Sequence, residues 1–148
     1  MTDVEMAGKL REIVRLMERK LGVLEEGELS CCGLTLSQCH ALVEIGRAGI
    51  ISLAQLAKLL DLDSSTMSRT VNNLVNRKLA ERELDPNDRR FVTIQLTVAG
   101  KSVYDEIEKN MERYFIQITR SIPEDKQEQV LESLHILMKA ISETECCS

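Results

Sequence analysis

The stretch SLAQLAKLLDLDSSTMSRTVNNLVNRKLAERELDPNDRRFVTIQLTVAG, residues 52–100, decides the fold of this 148-residue chain. It begins with a short helical pattern, Leu53–Leu60. Ser52 lies directly before this pattern and forms a capping box with Gln55. After a turn, a second helical pattern runs to about Lys78 from a cap at Asp63 or Ser64. Two short strand patterns with turn residues between them follow, Leu79–Leu84 and Phe91–Leu96. The order predicts a helix-turn-helix followed by a β-hairpin.

A helix-turn-helix with a hairpin, or wing, is an arrangement that reads double-stranded DNA. The second helical pattern carries short hydroxyl side chains at its start and arginines along its outer face, which can donate to phosphates and to base edges. The alternative is that these serines only cap a helix whose polar face is solvated. The candidate DNA-contacting residues on this helix are Ser64, Ser65, Thr66, Ser68, Arg69, Asn72 and Arg77.

The hairpin turn, Asp85–Arg90, ends in two arginines. Arg89 and Arg90 at its tip would enter a minor groove, where a narrow width deepens the negative potential. Asp88 would oppose phosphates unless it turns inward, where a carboxylate can hold an arginine by a bidentate pair. The alternative is a good turn followed by solvated charges. Asp88, Arg89 and Arg90 complete the candidate DNA-contacting set.

Long helical patterns flank this stretch on both sides. We predict helices at about 3–22, at 36–48 after a capping box formed by Thr35 and Gln38, and at 98–120 after a cap at Thr97. A last helix runs to about 145 from a capping box at Ser121, and Gly22–Gly33 is predicted as a loop. The terminal helices carry apolar stripes, which serve either an intrachain core or a dimer. Major-groove readers commonly pair to match two half-sites, which favours the dimer. The predicted fold is mainly α with a small β-hairpin wing, in one domain at 1–148, with a winged helix-turn-helix at about 36–100 and dimerisation helices at about 3–22 and 98–145.

Composition limits the other functions. The net charge is −5, but residues 64–94 carry six basic and four acidic side chains, so positive charge is local. No apolar run approaches the roughly 20 residues that a bilayer span needs, and residues 1–9 do not resemble a secretory signal. We therefore expect no membrane partner and a cytoplasmic location, where cysteines stay mostly reduced. No P-loop, GxGxxG, GxSxG or HExxH motif is present, and an enzyme is not expected.

The same stretch resembles the MarR family of bacterial transcriptional regulators. The resemblance is carried by residues of the helix pair and the wing: Leu56-Ala57, Ser64–Arg69, Leu79, Glu81, Arg82, Asp85-x-x-Asp88-x-Arg90 and Leu96-Thr97-x-x-Gly100. It implies an obligate homodimer on a palindromic DNA operator, usually as a repressor, with no required cofactor. It also implies release from DNA by a ligand or by oxidation.

The five cysteines all lie outside residues 52–100. A thiolate is stabilised near a helix N-terminus, as at Cys39, and soft thiolates bind thiophilic ions. We therefore predict release when cysteines bind a metal or metalloid or are oxidised, with the alternative that they are small buried residues or a frayed tail. The candidate residues are Cys31, Cys32, Cys39, Cys146 and Cys147.

Two other functions stay open at this point. A small aromatic or phenolic ligand, as the family often binds, could act in a cleft between the dimerisation and DNA-binding regions. A winged helix that binds protein instead of DNA is the alternative from another class. Loss of DNA binding on Arg90→Ala separates that class from a DNA reader.

Overall fold

The computed structural model describes residues 1–29, 33–88 and 91–146. These residues form six α-helices, one 3-10 turn and one three-stranded sheet. In chain order the elements are α1 (Asp3–Leu29), α2 (Leu36–Ala48), β1 (Ile50–Ser52), α3 (Leu53–Leu59), α4 (Ser64–Asn76), β2 (Ala80–Leu84), β3 (Val92–Leu96), α5 (Val98–Ser121), the 3-10 turn (Glu124–Lys126) and α6 (Gln127–Glu143). The mainly helical fold with a small antiparallel wing is the one predicted.

The predicted capping boxes set the starts of α2 and α3. Thr35 Oγ1 accepts the amide of Gln38 at 3.2 Å, and the Gln38 side chain accepts the amide of Thr35 in return. Ser52 and Gln55 repeat this exchange at α3. Each box satisfies amides that the first helical turn leaves without a partner, so the chain enters both helices at a defined residue.

The first helix is longer than predicted. It runs from Asp3 to Leu29 and passes through Gly22, where we had predicted a loop to begin. A single glycine inside a helix costs only about 1 kcal/mol relative to alanine. The following Leu-Glu-Glu segment, 24–26, consists of good helix formers, so no helix breaker follows the glycine directly.

The sheet has a third strand that the sequence did not predict. β1 pairs antiparallel with β3, with Ile51 opposite Ile94, and β3 pairs with β2 in the order β1-β3-β2. β1 follows Gly49, whose φ of 80° ends α2. The sheet thereby ties the hairpin to the segment that leads into α3.

The chain divides into two compact units, Met1–Glu106 and Ile107–Ser148, and the boundary falls within α5. The first unit has a closed core in which the side chains of α2, α3, α4 and β3 meet. Its largest fully buried side chains are Leu42, Ile45, Leu56, Met67, Val71, Leu74 and Ile94.

Two close approaches in the first unit require glycine. A Cβ atom on Gly100 would collide with the backbone carbonyl of Leu79, and one on Gly46 would lie 2.5 Å from the ring of Tyr104. These contacts allow α5 to begin directly against the end of the α4 segment and to pack on α2. Thr97 caps α5 as predicted, since its Oγ1 accepts the amide of Gly100 at 3.0 Å.

The second unit comprises the rest of α5, the 3-10 turn and α6. The predicted capping box at Ser121 is wrong: the Ser121 hydroxyl donates to the carbonyl of Gln117 at 2.9 Å and so belongs to the end of α5. Pro123 instead precedes the 3-10 turn without a side-chain cap. Among the described residues of this unit, Ile107 alone is a buried hydrophobic side chain.

Candidate nucleic-acid interface

Helices α3 and α4 are joined by a tight turn. Asp61 adopts a φ of 53°, and the amide of Leu62 donates to the carbonyl of Ala57 at 2.9 Å. Aspartate tolerates this left-handed conformation better than most residues because its short polar side chain can hydrogen-bond locally. The turn brings Asp63 to the cap of α4. This is the predicted helix-turn-helix.

Helix α4 has one buried face and one polar face. Met67, Val71 and Leu74 are fully buried, and Thr70 joins them with its hydroxyl donated to the carbonyl of Thr66. The candidate DNA-contacting residues lie on the other side: Ser64, Ser65, Arg69, Asn72 and Arg77 are exposed, and Thr66 and Ser68 are half-buried. The six candidate residues within α4 thus lie on its accessible surface, and Arg77, which follows the helix as its C-cap residue, is exposed as well.

Asp63 gathers three hydrogen bonds at the start of α4. Its carboxylate accepts the Ser65 hydroxyl at 2.6 Å, the Thr66 amide at 2.7 Å and the Thr66 hydroxyl at 2.8 Å. The bond from Ser65, followed by the two from Thr66, holds the pKa of Asp63 well below its usual range. The side chain therefore remains an anion at neutral pH.

Arg82 on β2 is a residue of this surface that the sequence did not single out. Its Nη2 atom donates to the carbonyl and to the hydroxyl oxygen of Ser68, each at 3.1 Å. The contact joins the wing to α4 across 14 residues of sequence. In the sequence, Arg82 counted toward the local excess of basic residues and toward the family resemblance, but no pattern within either element predicts a bond between them.

The turn of the wing is built from its aspartates. Asp85 Oδ1 accepts the amide of Asn87 at 2.9 Å, and the backbone carbonyl of Asp88 accepts the amide of Phe91 at 3.0 Å. The Asp88 side chain is half-buried. The predicted tip residues Arg89 and Arg90 lie outside the described residues, so the expected pairing of Asp88 with an arginine stays a prediction.

The candidate cysteines divide between described and undescribed parts of the chain. Cys39 is buried in α2, and Cys146 is exposed beyond α6. Cys31, Cys32 and Cys147 lie outside the described residues. Within residues 1–29, 33–88 and 91–146, no three cysteine, histidine or acidic side chains lie together as a metal site would need. In those same ranges no helix is long and apolar enough to cross a bilayer.

Sequence comparison relates the chain to known regulators. The model of the MarR family matches residues 33–90. The uncharacterized HTH-type (helix-turn-helix) transcriptional regulator YhbI of Bacillus subtilis is 32% identical over 110 residues, which cover 72% of this chain and 71% of that protein. The multiple antibiotic resistance protein MarR of Escherichia coli is 29% identical over 97 residues, covering 66% and 67%.

Structural comparison agrees with the sequence. The crystal structure of Streptococcus pneumoniae FabT in complex with DNA is similar with a TM-score of 0.87 over 94% of this chain and 99% of FabT. At 20% identity that likeness establishes the fold. Together with the helix-turn-helix and wing described above, these relationships show that the chain belongs to the MarR family and is a DNA-binding transcriptional regulator, not an enzyme.

Proposed function

We propose that this chain is a homodimeric repressor that binds a palindromic operator in double-stranded DNA. The observation that carries the proposal is the accessible polar face of α4, where Ser65, Arg69 and Asn72 are exposed above a fully buried apolar face. A helix with this division can lie in a major groove without disturbing the core beneath it. Arg69 is suited to a bidentate contact with guanine.

The wing extends the contact along the duplex in this proposal. The β2–β3 hairpin carries Arg89 and Arg90 at its sequence tip, and basic side chains favour a narrow minor groove. Phe91 beside them is 53% exposed, so the end of the hairpin offers contact area as well as charge. A repressor that reads chromosomal DNA in this way works in the cytoplasm.

Dimerisation is supported by the apolar surface of the terminal helices. Large hydrophobic side chains of α1 are exposed in the single chain, and so are those of the second unit. They include Val4, Leu10, Ile13, Leu16, Phe115, Ile116, Leu131, Leu134, Ile136, Met138 and Ile141. Soluble monomers rarely leave extended apolar patches uncovered. A second copy of the chain covers them and presents a second α4 to the other half-site.

The effector in this proposal is a thiophilic metal or metalloid, or an oxidant, that reacts with the cysteines. Their absence from residues 52–100 suits a signal received away from the DNA. The Cys39 side chain is only 8% exposed, and buried thiols react slowly. We therefore expect Cys31 and Cys32, followed by Cys146 and Cys147, to matter more than Cys39. A phenolic ligand bound between the DNA-binding and dimerisation regions is the alternative effector.

The DNA-reading proposal is tested with sequences selected from a random duplex library by the wild-type protein. Arg69→Ala should lose about 1–3 kcal/mol of binding, mainly at one base position. Arg47→Ala is the matched control, because Arg47 is exposed on α2 and makes an ion pair with Glu44. Equal binding by both variants and the wild type would contradict the placement of α4.

The effector proposal has its own titration. Arsenite, Zn(II), Cd(II) and peroxide are added to the protein–DNA complex of the wild type and of the single serine variants at Cys31, Cys32 and Cys39. We expect release from DNA in the wild type and loss of that response at Cys31 or Cys32. Binding that none of the reagents changes would rule out a thiol effector.

A further inference from the structure

Three hydroxyl groups on the polar face of α4 are each held by a charged side chain. The Ser65 and Thr66 hydroxyls contact the Asp63 carboxylate at 2.6 and 2.8 Å. The Ser68 hydroxyl oxygen contacts Nη2 of Arg82 at 3.1 Å. Two residues outside the helix, its cap and a strand of the wing, therefore act on the surface that faces DNA in the proposed function.

The direction of each hydrogen bond follows from the charged partner. An ionised carboxylate can only accept hydrogen bonds, so the Ser65 and Thr66 hydroxyls must be the donors in their bonds to Asp63. A guanidinium can only donate, so the Ser68 oxygen accepts a hydrogen bond from Arg82 and the Ser68 O–H remains available as a donor. Asp63 stays ionised at neutral pH, since its hydrogen bonds lower its pKa. The oxygens of Ser65 and Thr66 thus offer lone pairs, while Ser68 offers an O–H.

We propose that α4 carries a fixed hydrogen-bond pattern, with acceptors at Ser65 and Thr66 and a donor at Ser68, and that this pattern sets the base preference of the regulator. In a major groove, an acceptor selects the amino groups of adenine N6 and cytosine N4. A donor selects guanine O6 or N7, adenine N7, thymine O4 or a phosphate. The inference rests on the proposed function, because it requires α4 to lie in the groove.

Phosphate contacts are the competing role for these hydroxyls, and the charges disfavour it at Ser65 and Thr66. To donate to a phosphate, either hydroxyl must give up a charge-assisted bond to Asp63. The Asp63 carboxylate would then face the phosphate without that bond, and the two anions repel each other. Of the three hydroxyls, that of Ser68 is the one able to donate to a DNA phosphate.

The test compares the sequences that four proteins, the wild type and three variants, select from a random duplex library at one salt concentration. Asp63→Asn keeps the helix cap, since its Oδ1 still accepts the Thr66 amide and the Ser65 hydroxyl. It places an NH2 group where Oδ2 accepts the Thr66 hydroxyl, so the Thr66 O–H becomes able to donate elsewhere. Asp61→Asn is the matched control: it removes the same charge two residues away, at an exposed position whose φ of 53° asparagine tolerates. Ser65→Ala removes one acceptor without offering a donor.

We expect the wild type and Asp61→Asn to select the same motif, with an amino-bearing base at the positions that the start of α4 contacts. At the position that Thr66 contacts, Asp63→Asn should lose that preference by about tenfold or exchange it for a base that presents an acceptor. Ser65→Ala should lose the preference at its own position without exchange. One motif shared by all four proteins would overturn the inference and leave the DNA-reading function intact. Failure of the wild type to enrich any motif would overturn both.

Discussion

The two compact units of this chain use apolar residues in opposite ways. In Met1–Glu106, helices α2–α4 and strand β3 bury seven large side chains completely. In Ile107–Ser148, the α6 residues Leu131, Ile136 and Met138 are each more than half exposed, although the sequence of α6 also has a helical apolar pattern. A helical apolar stripe therefore does not by itself tell whether its partner lies in the same chain. The first unit carries its own core, and in the proposed dimer a second copy of the chain covers the apolar side chains of the second unit.

The largest effect is expected from a charge introduced on α6, which tests whether its exposed apolar side chains bind a second copy. Ile141→Asp should weaken association of two copies by about 3–5 kcal/mol, because it leaves an unpaired carboxylate in the proposed interface. His135→Asp, which adds the same group at another exposed position of α6, is the control. Sedimentation over a range of protein concentrations measures both. Equal dissociation constants for the two variants would place the interface elsewhere.

The core of the first unit gives the next largest effect. Leu74→Ala removes a fully buried side chain of α4 and should lower the free energy of unfolding by about 2–5 kcal/mol. Leu59→Ala makes the same change at a residue that is 57% exposed, where we expect about 0.5 kcal/mol or less. Urea unfolding of both variants checks the contrast, and similar midpoints would show that this core is not the main support of the unit.

Gly100 tests how tightly α5 meets the end of the α4 segment. Gly100→Ala should cost about 1–3 kcal/mol of unfolding free energy, since its Cβ would strike the backbone carbonyl of Leu79, which cannot move aside as a side chain can. Gly8→Ala in α1 meets no atom within 4 Å and should be neutral or stabilising. Thermal unfolding compares them, and an unaffected Gly100→Ala protein would contradict the close approach.

The smallest effect concerns the pH dependence that Asp63 adds. Its pKa is lowered in the folded chain, so its contribution to stability is fully present above the unfolded value of about 3.8 and is lost as pH falls through the folded one. We expect the stability difference between wild type and Asp63→Asn to shrink steadily below about pH 4. Denaturant unfolding at pH 7, 4 and 2.5 measures it. A difference that stays constant over this range would mean that the bonds to Ser65 and Thr66 do not form.

Local signals predicted most of the fold. The capping boxes at Thr35 and Ser52 and the cap at Thr97 fixed where three helices begin, because each acts within three residues of itself. Strand β1 was missed because three residues carry no alternation and its partner β3 lies more than 40 residues away. The error at Ser121 has a similar cause: a serine before Pro123 can serve the helix behind it as well as the one ahead.

The polar face of α4 was likewise readable from its period, but its chemistry was not. The Ser65 and Thr66 hydroxyls were expected to donate to phosphates or bases, but in the structure they donate to the Asp63 carboxylate. Arg82 was not among the predicted site residues, because its contact with Ser68 depends on how the wing packs against α4. The sequence predicted which residues form this surface. The direction of their hydrogen bonds follows from the charges of Asp63 and Arg82, which only the structure brings next to the hydroxyls.

The central claim is that the first unit reads DNA while the exposed apolar helices join two copies. The most direct test is the mass of the complex on a duplex selected by the wild-type protein, measured by sedimentation at low salt. The account predicts two chains on each duplex and one chain or none after Ile141→Asp. A single wild-type chain bound to its selected duplex would contradict it.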